Sequence, residues 1–430
     1  MRSIYNFILH FITPILFLRL LLKIRKSKNY QNYSQQGRWR ERLGLIPELA
    51  FSQPPIWIHT VSVGEFIAAL PLIRQLLEQH PQIPLLITST TLTGSDQVLK
   101  TLGSQVVHVY LPWDLPSAIQ RFYKRINPRL GLIMETEIWP NLIHYAAESN
   151  IPLILLNARM SPKSLRGYRK IANLSREMLG GFTAICVQSS EDAERFLKLG
   201  AQKDSLHITG SIKFDLNLNP ETQTQSQQIK DALKWQNQQV IVAASTHQSE
   251  DEIVLNVFKR LRADNQELKL IIVPRHPERF QQVYQLCQAT GLDVLKRSEI
   301  DALADLKAEI LIGDSMGEMM LYYHLGTLVI MGGTFVPNGG HNILEPAALG
   351  LPLFYGPSMF NFKAINDIFL EQKAAIQLDN EESLYQSLSE HMKNPQQLEK
   401  LGENALKLIR KNAGAKNRMY RVISNIALLD

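Results

Sequence analysis

The amino-acid sequence predicts an α/β protein with two Rossmann-like domains facing a cleft, preceded by an apolar N-terminal helix. Three observations carry this. Short apolar, β-rich runs alternate with helical stretches on both sides of residue 215, the rhythm of βαβ units in a parallel sheet. A polar stretch rich in Asn and Gln, Asn217 to Gln228, separates the two series. Turns bearing Gly, Arg, His and Glu follow several of the runs directly, at the strand ends where open α/β sheets bind ligands.

The first element is the apolar stretch Ile4 to Leu22, interrupted by Asn6, His10, Thr13, Pro14 and Arg19. At 1.5 Å per residue it reaches roughly 28 Å, just short of a hydrocarbon core of about 30 Å. Lys23-Ile24-Arg25-Lys26-Ser27-Lys28 follows, in place of the small-residue site that cleavage of a signal peptide requires. Residues 1–28 are therefore expected to be a retained membrane anchor, lying outside both α/β domains. The basic cluster places the following chain in the cytoplasm and suits anionic head groups. Pro14 and Arg19 leave open whether the helix spans or lies at the interface.

Residues 29–215 form the expected first domain. Its runs are Ile56 to His59, Leu85 to Ile87, Val106 to Leu111, Leu130 to Met134, Leu153 to Leu156, Ala184 to Val187 and Leu206 to Ile208. Glu65 follows the first run and the turn Thr60 to Gly64, where a carboxylate can take a hydroxyl proton or complement a helix dipole. Thr88 to Gly94 is a hydroxyl-rich loop, suited to sugar binding or to helix capping by Thr93 or Ser95. Glu135 and Glu137 end the fourth run and, if buried, require partners. Arg159 suits an anion. Lys213, beside the domain boundary, is a point charge for a carboxylate or phosphate. His59 reads as structural.

Residues 216–400 form the expected second domain, with runs at Val240 to Ala243, Leu270 to Val273, Ile310 to Ile312, Leu328 to Met331, Leu353 to Tyr355 and Ala375 to Leu378. Gly332-Gly333 and Gly339-Gly340 permit a sharp turn and close backbone approach to a ligand. A helix is expected over Asn342 to Leu349, its first-turn amides (Asn342, Ile343, Leu344) free for a phosphate and Glu345 placed for ribose hydroxyls; the alternative is that Asn342 and Glu345 only cap it. Pro274-Arg275-His276-Pro277 and Met316-Gly317-Glu318 are two further strand-end loops, and all three loops are expected to bind a nucleotide. His247 and His341 are further candidates to line that site. Residues 401–430 read as a C-terminal helical segment.

Charge excludes some functions. Residues 1–42 hold nine Lys or Arg against Glu41 alone, a net +8, which leaves −2 of the total +6 for residues 43–430. The body thus has no global basic excess for nucleic acid. Cys186 and Cys287 stand far apart and read as buried free thiols. No metal-ligand spacing occurs, so neither a metal nor a cofactor is expected.

Several motifs together resemble the family of 3-deoxy-D-manno-oct-2-ulosonic acid (Kdo) transferases of lipopolysaccharide assembly. They are Ser62-Val63-Gly64-Glu65, Met134-Glu135-Thr136-Glu137-Ile138-Trp139-Pro140-Asn141, Asn157-Ala158-Arg159-Met160-Ser161, Gly210-Ser211-Ile212-Lys213-Phe214-Asp215, the three second-domain loops, and Gly356-Pro357 with Asn361-Phe362. The likeness covers essentially the whole chain. It implies a GT-B glycosyltransferase that moves Kdo from CMP-Kdo to a lipid A precursor at the cytoplasmic face of the inner membrane. It also implies that Glu65 is the base and that Glu135 and Lys213 stabilise the transition state or position one another. The first domain then takes the acceptor and the second takes CMP-Kdo. Alternatives on the same fold are a UDP-sugar glycosyltransferase and a sugar-nucleotide epimerase; a third, from another class, is a non-catalytic membrane-anchored nucleotide-binding protein.

Overall fold

A computed structural model describes residues 1–26, 37–216, 218–300 and 306–427. The expected anchor boundary at residue 28 and Asn217 of the linker lie outside the described residues. The chain divides into two compact units, one of residues 1–215 with 413–430 and one of residues 216–412.

Unit 1 is built on a seven-stranded parallel sheet. Its strands are β1 (Ile56–His59), β2 (Leu85–Ser89), β3 (Val107–Tyr110), β4 (Leu130–Met134), β5 (Leu153–Ala158), β6 (Ala184–Val187) and β7 (Leu206–Ile208), in the order β3-β2-β1-β4-β5-β6-β7. The five inner strands, β2, β1, β4, β5 and β6, are buried on both faces, which is why they read as continuous apolar runs and not as alternating patterns, while the edge strands β3 and β7 are partly exposed. Trp57, Leu86, Ile133, Leu155 and Ile185 enter one core, and Ile56, Ile58, Leu132, Ile154 and Cys186 the opposite one.

Both chain ends pack on this unit. The helix Ala415–Ala427 buries Ala415, Met419 and Ile423 at i, i+4 spacing in the second core. Asp215 accepts the backbone N–H groups of Gly414 and Lys416 at its start, Arg418 Nε donates to the Thr209 carbonyl (2.7 Å), and Tyr420 meets His80 at 2.7 Å. The N-terminal helix Arg2–Lys26 does not stand outside the α/β unit as expected. Its Tyr5 packs against the first core and donates to Asp114 (2.9 Å), and Asn6 accepts from Asn141 (2.7 Å). Polar residues inside the apolar run are what allow this docking.

Unit 2 repeats the plan with β8 (Val240–Thr246), β9 (Lys269–Pro274), β10 (Val294–Lys296), β11 (Ile310–Ile312), β12 (Leu328–Met331), β13 (Leu353–Tyr355) and β14 (Ile376–Gln377), all parallel, ordered β10-β11-β9-β8-β12-β13-β14. The edge strand β10 is half-exposed and has no apolar run to announce it. Most of the polar linker is helical, Pro220–Ala232: Asn219 caps it at Glu221, Pro220 stands in its first turn, and Ser226, Ile229 and Ala232 form its buried stripe. The boundary expected at 400/401 falls within the continuous helix Pro395–Asn412, and the chain changes unit at 412/413. Leu428–Asp430 lie outside the described residues.

Asp215→Ala removes the acceptor shared by two helix-start N–H groups. Unit 1 should then unfold earlier in urea, by about 1–2 kcal/mol, while unit 2 keeps its own transition.

Candidate active site

In unit 1 the strand order reverses between β1 and β4, so the loops after these two strands open toward one crevice. The loop after β1 carries Glu65, in the first turn of the helix Val63–Gln79. Its carboxylate folds back to accept the Val61 N–H at 2.7 Å. The loop after β2 holds that turn in place: the N–H groups of Thr90 and Thr91 both donate to the Val61 carbonyl, and Arg42 donates to the Thr90 carbonyl (2.5 Å). Capping of the next helix falls to Thr91, not to Thr93 or Ser95, because the helix starts at Leu92 and Thr91 Oγ1 accepts the Gly94 N–H (3.0 Å). His59 is buried and its pKa is lowered to about 3 by burial, so it is a neutral structural ring.

The loop after β4 begins at Glu135, whose φ of 57° lies in the left-handed region that a side chain with a β-carbon disfavours. This turn aims the carboxylate at two cations: Lys213 Nζ stands 3.2 Å from one oxygen and Arg159 Nε 3.7 Å from the other. Lys213 is placed in turn by Asn157, also at positive φ (53°), whose Oδ1 accepts the Ile212 N–H (3.2 Å). Glu137 has a different task, accepting the Trp139 indole N–H at 2.7 Å. Of the two acids, Glu135 is therefore the ion-paired one.

These charges act on Glu65. Burial raises its carboxyl to about 7, the Val61 N–H opposes this, Glu135 and Glu137 add to it, and Lys213 again opposes it. A carboxyl poised there exchanges a proton at neutral pH, as a general base must.

Unit 2 reverses its strand order between β8 and β12. Glu250, at the start of the helix Glu250–Asp264, is almost wholly buried and accepts four backbone N–H groups, from His247 (2.9 Å), Gly333 (2.6 Å), Thr334 (2.9 Å) and Phe335 (2.9 Å). It binds the loop after β8 to the loop after β12. Sequence reasoning missed it, although an acid in the first turn after a strand, followed by Asp251 and Glu252, is a helix-start signal. Gly333, at φ 68°, leaves room for the His341 ring, which a β-carbon would approach to 3.0 Å. His341 Nε2 lies 2.8 Å from His247 Nε2 with the rings parallel. That contact requires one donor and one acceptor nitrogen, so the two nitrogens hold one proton between them. Burial, followed by the charges of His247, Arg275 and His276, lowers His341 to about 4.

The other residues of the loops expected to bind a nucleotide are placed as follows. Pro274 is buried at the end of β9, and Arg275 is exposed beside it with its N–H on the Thr246 carbonyl (3.0 Å). Arg279 is committed to the buried Asp251. Met316 and Gly317 are exposed, and Glu318 pairs with Arg297 at 3.0 Å. The helix expected over Asn342 to Leu349 spans only Leu344–Ala348. Asn342 Oδ1 takes the Leu344 N–H (3.2 Å) in a turn of its own, and Gly350 at φ 70° ends the segment. Five residues sum to a small dipole, so an anion here depends on Arg275 for charge, the paired His247 and His341 rings being neutral. Ile343 and Leu344 are buried and can offer a ligand only backbone atoms. Glu345 accepts from Asn342 Nδ2 (3.0 Å), and burial raises its carboxyl. Gly340 makes room for Met359, whose sulfur a β-carbon would approach to 2.3 Å.

The two parallel sheets with their strand-end loops define a class, and solved structures share it. A glycosyltransferase from Rickettsia africae superposes with a TM-score of 0.53 over 88% of this chain and 99% of its own, at 14% identity. A UDP-GlcNAc 2-epimerase from Neisseria meningitidis superposes at 0.55 over 83% and 99%, also at 14% identity. The fold is that of the GT-B glycosyltransferases. The family profile described as 3-Deoxy-D-manno-octulosonic-acid transferase (kdotransferase) matches residues 37–216. The 3-deoxy-D-manno-octulosonic acid transferase of Haemophilus influenzae is 36% identical over 424 residues, 98% of each chain. This chain belongs to the 3-deoxy-D-manno-octulosonic acid transferase family.

A raised carboxyl pKa contributes stability below the ordinary carboxylate range that is lost as pH rises through about 7. Glu65→Gln should therefore raise the melting temperature of unit 1 by about 2–4 °C near pH 8, and by nothing measurable below about pH 4, in calorimetric scans.

Proposed function

We propose that the chain transfers Kdo from CMP-Kdo to a hydroxyl of a lipid A precursor, lipid IVA, with inversion at the anomeric carbon. Residues 29–215 take the acceptor and residues 216–400 take the CMP-Kdo donor. The observation that carries the reading is Glu65, a half-buried carboxyl with a pKa near 7 in a family that moves Kdo. In the proposed reaction the acceptor oxygen loses its proton to Glu65 and bonds to the anomeric carbon, and the CMP phosphate leaves with the electron pair of the broken bond. Lys213, oriented by Glu135, offsets negative charge on the Kdo carboxylate or the phosphate. In unit 2, Arg275 offsets phosphate charge, Pro274, Met316, Gly317 and Glu318 line the nucleotide, Asn342, Ile343 and Leu344 offer polar atoms, and Glu345 accepts from ribose. No metal or cofactor enters the scheme. The N-terminal helix holds the enzyme at the cytoplasmic face of the inner membrane, where the amphiphilic acceptor resides.

Incubation with CMP-Kdo and tetra-acylated lipid A precursor, followed by mass measurement, tests the activity and counts the sugars added. A product with no Kdo increment overturns the proposal. CMP should raise the melting temperature more than UDP does; the reverse favours a UDP-sugar enzyme.

Glu65→Gln should lower turnover by about 10²- to 10⁴-fold while leaving CMP affinity close to wild type. Wild-type kcat/KM should rise with pH up to about 7 and level off above it, since the base works deprotonated. Near-normal turnover in the variant would move the role to Glu135 or Glu137.

Arg275→Ala and Glu345→Ala should each weaken CMP-Kdo binding by about 1.5–3 kcal/mol, the worth of a charge-assisted hydrogen bond, with acceptor KM unchanged. Calorimetric titration with CMP reads this directly.

A further inference from the structure

The N-terminal helix is apolar enough to cross a bilayer, but its contacts exclude the geometry of a crossing. One stripe along it is half-covered by unit 1: Arg2, Tyr5, Asn6, Leu9, Thr13, Leu16, Phe17 and Leu20, the i, i+3, i+4 spacing of one helix face. Named partners pin both ends of the stripe. Arg2 pairs with Glu177 at 3.0 Å, Tyr5 donates to Asp114, and Asn6 accepts from Asn141. Further along, the Phe17 ring packs edge-on against Trp39 (5.8 Å) and Trp113 (6.5 Å). From residue 2 to residue 17 the helix runs roughly 22 Å, and unit 1 meets it at both ends of that length. A spanning helix would carry Glu177, Asp114 and Asn141 into hydrocarbon, where polar groups are expensive.

The opposite face is apolar and exposed, with Phe7, Phe11, Ile15 and Leu18 among its residues. Beside Trp39, a cavity of about 780 Å³ is lined by Arg40, Arg121, Lys124 and Arg125 together with Leu45 and Ile46. All four cations are exposed. Arg121 is tied to the Leu43 carbonyl, whereas Arg40, Lys124 and Arg125 have no carboxylate partner among the described residues. Gly44, at φ 71°, shapes this cavity, because its close packing on Ala118 leaves no room for a β-carbon.

We propose that the N-terminal helix lies in the plane of the membrane as part of unit 1, outer face in the acyl region, and that the Arg40–Lys124–Arg125 cavity takes the phosphate of an anionic phospholipid head group. Apolar area immerses the helix while the cavity supplies charge complementarity. The inference rests on the membrane attachment proposed above and not on which sugar is moved.

Sidedness in membrane vesicles tests the geometry in the full-length enzyme. Cys186 and Cys287 are buried, with thiols pushed up to about 12, so the native thiols give little background. Ser3→Cys and the control Glu267→Cys, both at exposed positions, should react with an impermeant maleimide from the same side of the membrane. Labelling of Ser3→Cys from the opposite side shows a span and overturns the proposal. Purified enzyme should also bind phosphatidylethanolamine–phosphatidylglycerol vesicles. The triple variant Phe7→Glu/Phe11→Glu/Ile15→Glu should lose at least about tenfold in binding with its melting temperature retained. Lys124→Gln/Arg125→Gln should lose about tenfold or more on these anionic vesicles and little on zwitterionic ones. Equal binding by that double variant overturns the head-group site, as does release of wild-type enzyme by inorganic phosphate beyond that caused by chloride of equal ionic strength. Absence of wild-type vesicle binding overturns the attachment as well. A lipid-free dimer that the triple variant dissociates, without vesicle binding, would assign the face to a second copy instead.

Discussion

Every strand in both sheets runs parallel, and this constraint sends the chemistry to one end of each unit. A parallel strand must return through a crossover helix, so its carboxyl-end loop is free to vary while its other end is tied to the returning chain. Where strand order reverses, neighbouring crossovers leave toward opposite faces and their loops part. That happens between β1 and β4 and between β8 and β12. Glu65 and Glu135 stand in the first pair of loops, and His247 and the Gly333–His341 segment in the second. These residues thus occupy the places that topology alone leaves open.

Within unit 1 the electrostatics depend on unequal treatment of three carboxylates. Glu135 has two cations and Glu137 an indole N–H, whereas Glu65 has one backbone N–H and the repulsion of the other two. Burial, with the repulsion of Glu135 and Glu137 added to it, raises the Glu65 carboxyl to about 7, the range in which a carboxyl exchanges a proton at neutral pH. The positive φ at Glu135 and Asn157 shows what holds the arrangement. Each would relax in isolation, but the β4–β5 pairing and the Ile212 N–H fix them, so the fold bears a local strain in order to aim Lys213 at Glu135.

The parallel fold was legible because strands buried on both faces must be apolar throughout, and nearly every such run in the sequence is a strand. Where burial is partial the signal fades. β10, at a sheet edge, has no apolar run, and the helix Pro220–Ala232 shows one buried residue every three or four among glutamines and reads as linker. The candidate residues lie in strand-end loops that turn chemistry identifies, and the resemblance alone pointed to the Glu135–Lys213 pair that the structure forms; composition and spacing by themselves left the pairings open. Nothing local separates Glu135 from Glu137 until the turn at φ 57° selects which one meets Lys213. Glu250 was overlooked because its four N–H partners come from segments distant in sequence.

The N-terminal helix shows the same limit of one-dimensional reading. Its length and mean hydropathy match a membrane span, and its polar residues look like interruptions. In three dimensions Arg2, Tyr5 and Asn6 share one face with Leu9, Leu16 and Phe17, and the groups that meet them, Glu177, Asp114 and Asn141, come from a folded α/β unit, while the Thr13 hydroxyl donates to the Leu9 carbonyl of its own helix. A polar residue in a lipid-facing helix is an expense, whereas the same residue against a buried carboxylate is a fastening. The placement of the polar positions, more than the total hydrophobicity, therefore decides how such a helix meets a bilayer.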